Sequence, residues 1–193
     1  MTKRSHYRYR RTTGILATTL ALSTGWFCAP VSAQSFADYP DTEIRYYWVE
    51  GMTGAELRAE LEERGPLGND GATVDATASY YLEWQLSSAG PRLCNADITI
   101  TTWVIFPRHR NPDALPPETR ARWLANIAAL EAHEMGHIEM AYDALPDLRR
   151  ALENGSCEGA NRRADAVMSR LRRAQEAYDQ QTDHGRKTGA HFP

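Results

Sequence analysis

Apolar and polar positions alternate over two stretches of the first half of this chain. From Ala76 to Leu86, the residues Ala76, Ala78, Tyr80, Leu82, Trp84 and Leu86 fall on one face. Thr77, Ser79, Tyr81, Glu83 and Gln85 fall on the other. Between Ala96 and Phe106, Ile98, Ile100, Val104 and Phe106 alternate in the same way with Asp97, Thr99 and Thr101. A period of two reads as strand, and the polar faces predict a sheet covered on one side. The turn-rich connector SSAGPRLCN between them predicts an antiparallel hairpin. Upstream, the aromatic and branched run over 43–50, ended by Gly51, predicts a further strand. Thr53-Gly-Ala-Glu56 then spells a capping box, which opens a helix with Leu57 and Leu61 on one face. Gly65-Pro66 stops that helix, and GPLGNDG reads as a loop.

The second half changes period. Pro116-Pro117-Glu118 starts a long helix, with proline where the first turn tolerates it. Trp123, Ile127, Leu130, Ala141 and Leu145 recur at helical spacing until Glu153-Asn154-Gly155. Pro146 interrupts the pattern and predicts a kink or a restart. A second helix is expected from about Asn161 to Gln180, with Ala164, Val167, Met168, Leu171 and Ala174 apolar. The tail from Thr182 has no helical pattern. Strands followed by helices indicate an α+β domain. The expectation is a small antiparallel sheet, a long helix and a C-terminal helix packed against it.

The N-terminus stands outside this pattern. Lys3, Arg4, Arg8, Arg10 and Arg11 precede an apolar run over Gly14 to Cys28, and Val31-Ser32-Ala33 offers small residues at a cleavage site. This is the order of an export signal, predicted to be cut after Ala33 and to leave one domain over 34–193. The competing readings are an uncleaved anchor, lipidation at Cys28 behind a bulky Gly25-Trp26-Phe27, and twin-arginine export through Arg10-Arg11. Export places the protein in the periplasm or outside the cell, with no stable membrane span once the leader is gone. Removing the leader leaves 17 basic against 25 acidic residues, a formal charge of −8. So acidic a domain lacks the electrostatic footprint for nucleic acid or anionic lipid. Only Cys94 and Cys157 then remain. Two cysteines in an oxidising compartment are most simply a disulfide, worth about 3–4 kcal/mol in the chain-entropy account.

Candidate chemistry lies on the long helix, where His133-Glu134-Met135-Gly136-His137 spells HExxH. Histidines four apart share a helix face, so both imidazoles reach one ion. Glu134 is offset toward the open coordination position, where it is placed to deprotonate a water and pass the proton to a leaving amine. Gly136 costs about 1 kcal/mol in a helix interior relative to alanine, which suggests that another group must come close there. A catalytic zinc wants a third protein ligand and one open position. Asp165 and Glu176 on the next helix are candidates, as is His184, with Gly185 allowing a sharp turn beside the ion. Tyr178 and His191 are possible carbonyl-polarising donors but read more readily as structural. Glu139 and Asp143 serve equally as partners of a ligand nitrogen or as a solvated face. His109 reads as a surface residue. The basic cluster Arg162-Arg163, Arg170 and Arg172-Arg173 reads as a solvated face.

These residues resemble a bacterial family of predicted secreted zinc-dependent proteases, long described as a domain of unknown function. The likeness runs from RYYWVEG and GMTGAELRAEL through RGPLGNDG and HEMGH to the ending YDQQTDHGRKTGAHFP. It implies His133 and His137 as metal ligands, Glu134 as general base and His184 as third ligand, and it favours a Cys94–Cys157 bridge. The expected activity is therefore an exported zinc metallopeptidase acting on a peptide or protein. The alternatives are a non-catalytic zinc-containing binding domain and a metal-free helical face.

Overall fold

The computed structural model describes residues 2–4, 35–39, 41–68 and 71–193. Apart from Thr2–Arg4, the predicted leader and its cleavage site lie outside the described residues. The elements are strand β1 (Thr2–Arg4), β2 (Thr42–Val49), helix α1 (Gly54–Arg64), β3 (Thr77–Gly90), β4 (Leu93–His109), α2 (Pro117–Asp143), α3 (Leu145–Glu153) and α4 (Ala160–Thr182). The fold is α+β, as the pattern of strands and then helices indicates.

Local signals are realised where they were written. Thr53 and Glu56 form the reciprocal capping box at the start of α1. Helix α2 ends at Asp143 and α3 restarts at Leu145, with Pro146 in the first turn where no N–H is needed. Strands β3 and β4 form the antiparallel hairpin, in register from Thr77↔Ile105 to Ser88↔Cys94. The connector expected over 87–95 is mostly strand, and the chain reverses in a two-residue turn at Pro91-Arg92.

Sheet order is β1-β3-β4-β2. One edge differs from an all-antiparallel expectation, because β2 runs parallel to β4 from Thr42↔Thr102 to Val49↔His109. The reason is topological. β2 ends, and β3 begins, near the same end of β4, so those two strands run in opposite senses on its two sides. Since β3 is antiparallel to β4, β2 must be parallel to it. Loop and helix α1 carry the chain across that end, as parallel neighbours require.

The helices cover one face of the sheet. Leu82, Trp84 and Ala96 pack under α3 and α4 against Leu148, Leu152, Ala164, Val167, Met168 and Leu171. Trp84 donates its indole N–H to Asn161 at 2.9 Å, so the buried ring keeps a partner for its polar atom. Farther along, Ala76, Val104 and Phe106 meet Leu130 and Ile138 of α2. Cys94 and Cys157 are joined as expected, which ties the start of β4 to the loop before α4. Among the described residues no helix is long and apolar enough to cross a membrane.

Two surface expectations are corrected. His109 is buried, with Nδ1 accepting the Asn111 N–H at 3.1 Å. That leaves Nε2–H to donate to the Gly51 carbonyl at 3.1 Å, so its burial is fully compensated. In the basic cluster, Arg163 folds over the end of α3 and donates to the carbonyls of Ala151 and Ser156. Arginine there satisfies carbonyls that the helix end leaves open. Arg162, Arg170 and Arg173 are exposed as expected.

Candidate metal centre

Helix α2 turns His133, Glu134 and His137 inward, toward the sheet and α4. His133 is 6% and Glu134 5% exposed, far below the ordinary exposure of such residues. A carboxylate that deep requires partners, and those beside Glu134 are His133, His137 and the backbone N–H of Ala78 on β3. Burial pushes the Glu134 carboxyl upward, while His137, His133 and that N–H pull it back.

Helix α4 crosses α2 at its C-terminal end and supplies Gln175, Tyr178 and Asp179. One Asp179 oxygen, Oδ1, lies 3.0 Å from His137 Nε2 and 3.5 Å from His133 Nε2. His133, His137 and Asp179 thus form a group whose ligand atoms all lie within 4.8 Å of one another. Gln175 sets the state of His137. Its amide N–H donates to the His137 carbonyl at 2.9 Å, which turns the amide oxygen toward Nδ1. Nδ1 therefore carries the proton and the lone pair of the neutral ring sits on Nε2. A Gln175→Leu variant is expected to lose about 10- to 100-fold in zinc affinity, measured by chelator competition, because the ring loses this orienting partner.

This chemistry suits a divalent cation. An imidazole lone pair facing a carboxylate oxygen at 3.0 Å needs a proton or a cation between them, and a second imidazole points at the same oxygen. Two nitrogens, one carboxylate and a further position open to the cavity match a catalytic zinc set. The electrostatics agree. Burial opposes ionisation of Asp179, but the His133 and His137 side chains beside it outweigh that and hold the carboxyl well below its usual range. Burial likewise opposes charging His137, yet its bond to Asp179 and the charge of Glu134 raise it.

The tail closes the site. Asp183 (φ 52°), His184 (φ 52°) and Gly185 (φ 79°) are left-handed in succession and reverse the chain after α4. A side chain on Gly185 would meet Ala190 Cβ at 2.6 Å and His133 Cγ at 3.2 Å, so the backbone runs directly against the His133 ring. Farther on, Asn126 donates to the Gly189 carbonyl at 2.9 Å. Phe192 is fully buried beside Trp123, its N–H held by Asp75, which in turn is paired with Arg58 at 2.6 Å.

Not every candidate joins the group. His184, expected as third ligand, is 54% exposed, and its Nδ1 lies 3.9 Å from the same Asp179 oxygen. Glu176 lines the cavity without joining, and Asp165 is not part of the lining. The partner of the His137 ring is Gln175 rather than Glu139 or Asp143. His191 lines the cavity near Asp75, whereas Tyr178 lies behind the two histidine rings. Arg172, expected on a solvated face, lines the cavity as well. Asp179 was not among the sequence candidates. Its only signal was its place on a helix that packs back onto HExxH.

The cavity above the group measures about 590 Å³. One wall is the run 72–80 leading into and along β3, and the other is α4 with the loop after it.

The family described as bacterial protein of unknown function (DUF922) matches residues 44–185. The chain belongs to the DUF922 family. No curated protein and no solved structure matches it. The DUF922 match contains His133, His137 and Asp179 and ends at Gly185, the residue pressed against His133. It leaves the Gly189–Phe192 anchor outside, and it carries no activity with it.

Proposed function

We propose that the protein is an exported zinc-dependent metallopeptidase. The observation that carries this reading is the convergence of His133, His137 and Asp179 on one point, with Glu134 buried beside it in the cavity floor. Those three residues would hold the ion. When bound, zinc would polarise a substrate carbonyl and make a water more acidic. Glu134 then takes the proton from the attacking water on its carboxylate oxygen and delivers it to the amine nitrogen that leaves. Its burial raises its basicity for that role.

The shape of the cavity supports a peptide as substrate. Among the described residues β1 pairs with β3 only at Glu83–Gln85, so the edge at Ala76–Tyr80 is open along the cavity wall. An extended peptide would gain main-chain hydrogen bonds there, as strands do at any open sheet edge. The predicted leader and the Cys94–Cys157 pair support export.

A non-catalytic zinc domain is the second reading, and one observation favours it. His184 stands close enough to Asp179 that a small rotation would offer a fourth protein ligand, and four-ligand zinc sites are closed. The test is direct. Purified protein is expected to carry one zinc per chain and to cleave unfolded protein substrates. Chelation should abolish cleavage and zinc should restore it. Protein without stoichiometric zinc sinks both readings, and zinc without cleavage leaves the second.

A further inference from the structure

We propose that Tyr178 is a positioning residue of the metal centre and that Gly136 is the opening in α2 that admits its phenol. The inference rests on the metal reading above. The Tyr178 ring stacks on His133 at 5.0 Å between centroids and 14° between planes. The same ring meets His137 edge-on at 5.1 Å and 84°. The two histidine rings are themselves 4.9 Å apart and perpendicular. One aromatic side chain thereby fixes the planes of both ligands. It stands outside the cavity lining, behind the two rings.

The two histidines are held differently. His137 has Gln175 on its Nδ1 and on its carbonyl. His133 Nδ1 is buried with no hydrogen-bond partner among the described residues, so no second hydrogen bond sets the tilt of this ring. Packing must set it, and the packing groups are Tyr178 and the bare backbone of Gly185. Tyr178 precedes Asp179, so a single turn of α4 supplies both the carboxylate and the surface that orients the imidazoles.

Gly136 explains how the ring fits. A Cβ at this position would stand 2.7 Å from Tyr178 Oη and 2.8 Å from its Cζ, closer than real contacts allow. The helix-weakening glycine inside HEMGH is therefore matched to one partner, and the two positions should behave as a unit.

Zinc affinity by chelator competition, the absorption spectrum of the cobalt-substituted protein and the thermal midpoint of the zinc-free protein test this. Tyr178→Ala is expected to weaken zinc about 10- to 100-fold and alter the cobalt spectrum, while Tyr178→Phe, which keeps the ring, stays within about threefold of wild type. Tyr178→Leu replaces the alanine variant if that does not fold. Gly136→Ala should weaken zinc about tenfold or more in the wild-type background and add nothing in the Tyr178→Ala background. In the zinc-free protein the two substitutions should be equally non-additive in thermal midpoint. Unchanged zinc affinity and cobalt spectrum in both Tyr178→Ala and Tyr178→Leu would overturn the inference. So would a Gly136→Ala cost that is the same with and without Tyr178. Wild-type protein that binds no zinc overturns this inference and the metal reading together; wild-type zinc with unaffected variants overturns this one alone.

Discussion

Glu134→Gln is expected to keep one zinc per chain and to lower peptide hydrolysis by about 10²- to 10⁴-fold, the range that a positioned general base contributes. The substitution is nearly isosteric. Its amide fills the same 5%-exposed site and still offers an oxygen to the polar groups around it. What it loses is the capacity to accept a proton. The ligand group is His133, His137 and Asp179, so metal content should not fall. Zinc by mass spectrometry and cleavage of an unfolded protein, measured on the same sample, separate the two effects. Retained hydrolysis at full zinc would refute Glu134 as the base. Loss of zinc along with activity would mean that the carboxylate supports the ion instead, and the assignment of roles within HEMGH would have to change.

What was legible in the chain was what neighbouring residues decide. The Thr53–Glu56 cap is made within one helical turn, and the restart at Pro146 follows from a missing N–H. Period-two alternation placed Leu82, Trp84, Val104 and Phe106 in the core because a strand has only two faces. HExxH likewise puts His133, Glu134 and His137 together on the inward side of α2 by helical spacing alone. The misses are contacts between distant segments. Nothing in EIRYYWVE reveals that β2 pairs parallel with β4, since direction depends on where α1 delivers the chain. His109 sits in PRHR and looks exposed, yet Gly51 and Asn111 satisfy both ring nitrogens. Asp179 is one acid in the polar run YDQQTD, and it gains meaning only because α4 crosses α2 at His137. Gly136 was the exception. Its cost within a helix signalled a close approach, although the partner, Tyr178, could be named only from the fold.

Asp179→Ala is expected to be the most damaging change to metal binding on α4, and His184→Ala a mild one. Apparent zinc binding energies of about 10–16 kcal/mol shared over four ligands put one ligand at about 3 kcal/mol, roughly 100-fold or more in affinity. Asp179 has the attributes of that ligand. It projects from a regular helix, Oδ1 faces both Nε2 atoms, and its carboxyl is held ionised by them. His184 has the opposite attributes: it is 54% exposed and sits on a run of left-handed residues, farther from the same oxygen. Asp179→Asn sharpens the comparison, because it preserves shape and removes charge. It should fall between wild type and alanine if the carboxylate binds the ion. Chelator competition at fixed pH ranks the variants. A His184→Ala loss equal to that of Asp179→Ala would return the third position to the histidine and make the aspartate its orienting partner. A His184→Ala protein with slightly weaker zinc and faster cleavage would show that this histidine occupies the position that the substrate carbonyl needs.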